Sequence, residues 1–132
     1  MTVIQDTGNA SAKEIYDTVV GFVEHNTGGA QPPLINEPPV VSSVCRSYPD
    51  EHPSRIRSAI AAATSWGDLF RYVREREDQR NQRFLGIDDA DVLETKIGEY
   101  HERSERTTRY GAICLQIANG RVDHLRGEDD AN

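Results

Sequence analysis

The sequence predicts an α+β fold that is mostly helical, and three observations in its 132 residues carry that expectation. Apolar residues recur at helical spacing in five separate stretches. Two short apolar segments, Asp68 to Val73 and Arg83 to Ile87, flank nine strongly polar residues, which reads as a β-hairpin with a long loop. The length matches one domain, since domains most often run to about 100–150 residues.

Residues 1–10 are polar without a period and read as a disordered tail. Ser11 followed by Glu14 forms a capping box. Ile15, Val19, Phe22 and Val23 then share one helical face, and Asn26-Thr27-Gly28-Gly29 stops the run, giving a helix over about 11–26. Residues 27–37 read as a Gly/Pro loop. Pro38 and Pro39 suit a first helical turn, where a missing N–H costs nothing. Val41, Val44, Cys45 and Tyr48 continue that helix over about 39–48, until Pro49. After the turn Pro49-Asp50-Glu51-His52, Ile56, Ala59, Ile60 and Ala63 define the apolar face of a third helix, about 53–64.

Trp66-Gly67 breaks the helical pattern, and the hairpin is expected across 69–87. The competing reading is one helix from Leu69 to Arg83. Leu69, Tyr72 and Val73 would share its face, but no apolar residue extends that stripe past Val73, and an amphipathic helix needs one to fold against something. Asp88 and Asp89 precede a helix over about 89–105, with Leu93, Ile97 and Tyr100 on its core face. Tyr110, Ile113, Cys114 and Ile117 mark a last helix over 106–118, with Asn119-Gly120 as its stop. Asn-Gly is also a hairpin signal, and Ile113, Leu115 and Ile117 alternate. Helix is preferred because Thr107 to Gly111 offers no strand start. Residues 121–132 are polar and read as a second tail.

The net charge is −7, from 15 basic and 22 acidic residues. In bulk that argues against nucleic acid as a partner. The distribution argues otherwise. Residues 1–52 hold two basic and seven acidic residues; residues 87–132 hold six and eleven; residues 53–86 hold seven Arg and four acids, net +3. Thirteen Arg against two Lys, in so acidic a chain, resembles the composition of proteins from salt-adapted archaea, although an Arg-rich genome composition produces the same bias.

The order helix, helix, turn, helix, hairpin resembles the winged helix-turn-helix superfamily over residues 11–87. The resemblance rests on that order and on Pro53-Ser54-Arg55-Ile56-Arg57-Ser58-Ala59-Ile60-Ala61-Ala62-Ala63 running into Trp66-Gly67-Asp68-Leu69. It implies a transcriptional regulator that binds double-stranded DNA, with helix 53–64 in the major groove and hairpin 69–87 as the wing on the backbone or minor groove. A major groove about 12 Å wide admits one helix, whose outer face needs small residues and a few long donors. Ser54, Arg55, Arg57 and Ser58 are expected to supply them, and Arg71, Arg74, Arg76, Arg80 and Arg83 to hold flanking phosphates. Glu75, Glu77 and Asp78 at the hairpin tip oppose this. The alternatives are a winged-helix module for protein–protein contact without DNA binding, or a small all-helical interaction protein.

The helices over 88–120 exceed what such a core needs. Leu93, Ile97, Tyr100, Ile113 and Ile117 are therefore expected to pair two copies into a homodimer, the alternative being that they fold back onto the first helix within a monomer. No apolar run is long enough for a membrane span, and the N-terminus lacks a secretory pattern. Cys45 and Cys114 show no CxxC pairing, which predicts a reduced, cytoplasmic protein in which both pack as apolar side chains. His25, His52, His101 and His124 have no zinc spacing, and no P-loop, GxGxxG or nucleophile elbow occurs. No enzyme, catalytic residue, metal or cofactor is expected.

Overall fold

The computed structural model describes residues 10–127. Five helices and a three-stranded antiparallel sheet make an α+β, mostly helical fold. The first helix, α1 (Ala12–His25), is capped by Ser11, whose hydroxyl accepts from the Glu14 N–H at 3.0 Å. Next come β1 (Ile35–Asn36) and α2 (Glu37–Ser47). His52 Nδ1 accepts from the Ser54 N–H at 3.1 Å and caps α3 (Pro53–Trp66), which closes on Gly67 at φ 88, a left-handed conformation that suits a residue without Cβ. The hairpin follows as β2 (Leu69–Arg74) and β3 (Gln82–Ile87). Asp89 caps α4 (Ala90–Arg103), and Thr108 caps α5 (Arg109–Leu125).

The strand order is β1-β3-β2, so β3 is central. Alternation along the hairpin sends successive side chains to opposite faces. Leu69 and Leu85 join one core with Ile15, Val19, Val44, Ile56 and Ile60, from α1, α2 and α3. Phe70 and Phe84 join a second core with Leu34, Leu93, Ile97, Tyr100, Cys114 and Val122, under α4 and α5. The sheet is thus the middle layer between two helical layers. Gly86 sits opposite Phe70 in the register. A Cβ there would meet a Phe70 ring carbon at 2.7 Å, so the ring lies directly on the glycine.

Several expectations need correction. The loop expected over 27–37 contains β1, a strand too short to show a period. The last helix runs through the expected stop at Asn119-Gly120 to Leu125. Asn119 turns its side chain back to the Leu115 carbonyl at 2.9 Å, and Ala118 and Val122 both bury on the second core. Packing on both sides of Gly120 outweighs its helix-breaking tendency. Of the two expected tails, residues 1–9 and 128–132 lie outside the described residues. Ala10 is held by Glu51 and Arg55, and residues 121–125 are helical.

The dimerisation expectation fails for three of its five residues. Leu93, Ile97 and Tyr100 are 0%, 8% and 3% exposed, folded back into the chain's own second core. Ile113 and Ile117 are half-buried at its edge. Among the described residues, no helix is long and apolar enough to cross a membrane.

Candidate nucleic-acid interface

The exposed side of α3 carries Ser54, Arg57, Ser58, Ala61 and Ser65, opposite its buried Ile56, Ala59, Ile60 and Ala63. This stripe is small-sided, with one long donor. Beside it, a groove of about 760 Å³ opens between α2, the start of α3 and β3 with its preceding loop. Four arginines line it: Arg46 from α2, Arg57 from α3, Arg80 from the hairpin loop and Arg83 from β3. Arg57, Arg80 and Arg83 make no ion pair among the described residues. Glu37, the acid in the lining, is already neutralised. Arg71 grips it with two bonds, Nε to Oε1 at 2.8 Å and Nη2 to Oε2 at 3.2 Å. Four positive charges therefore converge on one concave surface with the local carboxylate occupied, a field that favours a polyanion.

The nine residues expected to contact DNA divide under this geometry. Arg57, Arg80 and Arg83 reach the groove. Ser54 and Ser58 are exposed on α3 but line a different groove, toward α1. Arg55 stays half-exposed but is tied down: its guanidinium donates to Glu51 Oε1 and to the Ala10 carbonyl, both at 2.8 Å, and it lines the groove toward α1 rather than the arginine groove. Arg71 is held by Glu37. Arg74 stands on the opposite sheet face from Arg83, because their strand positions differ in parity; it donates to Gln82 at 3.2 Å and lines a groove against α5. Arg76 closes the hairpin loop on itself, its guanidinium donating to the Arg80 carbonyl at 3.0 and 2.6 Å. Arg46 was missed by the sequence reading. It lies before the positive segment 53–86, and the turn 48–52 carries α3 back beside it.

The tip acids Glu75, Glu77 and Asp78 are exposed and stand outside the groove lining. Cys45, half-buried, also lines the groove. Cys114 is buried, where desolvation pushes its thiol up to about 11, so it stays protonated as an apolar group. Among the described residues, no cluster of three or more His, Cys, Asp or Glu could hold a metal ion.

Comparison with known proteins adds no family: no protein-family model, no curated protein and no solved structure matches the chain.

Proposed function

We propose that this chain is a winged helix-turn-helix regulator that binds double-stranded DNA through the arginine groove and the adjoining face of α3. The observation that carries this reading is the convergence of Arg46, Arg57, Arg80 and Arg83 on one groove while Arg71 occupies Glu37. Three helices followed by a hairpin are the order the resemblance implies, and the groove lies where third helix and hairpin meet. In this reading the small residues Ser58, Ala61 and Ser65 let α3 approach the major groove closely. Arg57 is the donor within reach of a base edge, and Arg46, Arg80 and Arg83 neutralise phosphates on either side.

A second copy, as DNA-binding pairs require, would use what remains outside the core: half-buried Ile113 and Ile117 beside Tyr72, on the groove between β2 and α5. Fluorescence anisotropy with a labelled duplex tests the reading. Arg57→Ala and the pair Arg80→Ala/Arg83→Ala weaken binding. A wild-type chain without affinity for duplex at any salt concentration overturns it in favour of a protein-interaction module.

A further inference from the structure

A second groove runs along the other flank of α3. It holds about 660 Å³ between α1 and α3 and differs in character from the arginine groove. That volume lies within the range of small-molecule sites, about 300–1,000 Å³. Its walls include Ile15, Tyr16, Ala59, Ala62 and Trp66. Trp66 is the chain's single tryptophan, and it is 74% exposed. Its ring centroid lies 5.2 Å from that of Tyr16, with the planes tilted by 39°. Two aromatic rings thus stand together at the mouth of an apolar cleft.

The charge beside them is uneven. Lys13 is held by Asp17 at 2.6 Å, and Arg55 by Glu51 at 2.8 Å, so both cations at the rim already have carboxylates. Asp68 accepts the Tyr16 hydroxyl and makes no ion pair among the described residues. Desolvation, then the hydrogen bond to Asp68, pushes the Tyr16 hydroxyl up to about 12. It therefore stays protonated at neutral pH and fixes the carboxylate beside the rings. The negative faces of aromatic rings attract cations, most strongly when a ligand is partly desolvated.

The geometry points to a binding site for a small organic cation with an apolar body, an amine or quaternary ammonium, seated between Trp66 and Asp68 with its apolar part on Ala59 and Ala62. Its lining shares no residue with the arginine groove, and its charge preference is the opposite one.

Trp66 reports on its own occupancy. Titration with benzyltrimethylammonium should change its fluorescence saturably, and the uncharged isostere neopentylbenzene should bind about tenfold more weakly. Asp68→Asn should weaken the cation by a similar factor while leaving the neutral isostere unchanged. Calorimetry on Trp66→Ala, which removes an exposed side chain and spares the core, should show the cation's binding lost. Equal affinity for cation and isostere overturns the assignment and leaves a nonspecific apolar cleft. Undiminished cation binding by Asp68→Asn overturns it too, as does a fluorescence change that tracks protein concentration, which marks docking of a second copy.

Discussion

Glu51 and Arg55 form an ion pair at 2.8 Å at the start of the third helix, and Glu51, 9% exposed, also accepts the Ala10 N–H at 2.7 Å. The acid that precedes the helix thus engages its first arginine, which stands outside the arginine groove. Arg55 ties the chain at Ala10 to the turn before α3, a structural role.

This pair has a pH signature. The Arg55 guanidinium, and after it the Ala10 N–H, hold the Glu51 carboxyl below the usual carboxylate range. A lowered folded-state value stabilises the fold above the ordinary carboxylate value, and that contribution is lost as pH falls through the lowered one. Glu51→Gln should therefore melt below wild type near neutral pH, with the gap closing in acid. Circular-dichroism melts across pH check this; a gap constant with pH contradicts the pair.

Lys96 is 8% exposed and donates to the carbonyls of Glu24 at 2.9 Å and Thr27 at 2.8 Å, tying α4 to the end of α1. Lys96→Met keeps most of the packing and leaves both acceptors without their donor. The expected loss, read by urea denaturation, is about 1–3 kcal/mol. Burial also pulls the lysine below its ordinary 10.5. The folded chain then releases that proton before the unfolded one does, so wild-type stability relative to Lys96→Met should rise as pH climbs toward 10.5.

At Gly111, α5 packs directly against Tyr100 of α4. A Cβ there would overlap the Tyr100 hydroxyl, and Tyr100 is itself buried. Gly111→Ala should cost about 1–3 kcal/mol by overpacking. Adding Tyr100→Phe, which deletes the hydroxyl, should return part of that loss. Urea denaturation of the two variants measures both effects; a neutral Gly111→Ala contradicts the close approach.

Pairing through α5 has a separate test. Ile117→Glu places a charge on the half-buried edge of the second core, while Leu93, Ile97 and Tyr100 remain covered within the chain. Sedimentation velocity should show the wild type as a dimer and the variant as a monomer. A wild type that sediments as a monomer at all concentrations removes the dimer.

The fold was legible where a periodic apolar stripe met a core. Ile15, Val19 and Val23 announced α1, and Leu69, Phe70, Phe84 and Leu85 around a polar tip announced the hairpin. Two features carried no such signal. Strand β1 is two residues long, and the passage of α5 through Gly120 depends on Ala118 and Val122 meeting a core built from distant segments. The candidate interface was half legible. The charge clustering over 53–86 is real in sequence, but strand parity sends Arg74 away from Arg83, and the carboxylates of Glu37 and Glu51 hold Arg71 and Arg55. Arg46 reaches the groove through the turn between α2 and α3, a spatial neighbour that charge counting along the chain does not reveal.

The salt dependence of duplex binding tests the central claim most directly. Each phosphate neutralised contributes a slope of about −0.9 to log K against log salt. With Arg46, Arg80 and Arg83 on phosphates, wild type should fall with a slope of about −3. Arg80→Ala and Arg83→Ala should each reduce its magnitude by about 1, while Arg57→Ala should relax discrimination between sequences and Arg55→Ala should leave the slope unchanged. A slope reduced by Arg55→Ala, and untouched by Arg80→Ala and Arg83→Ala, would contradict the arginine groove as the DNA-binding surface.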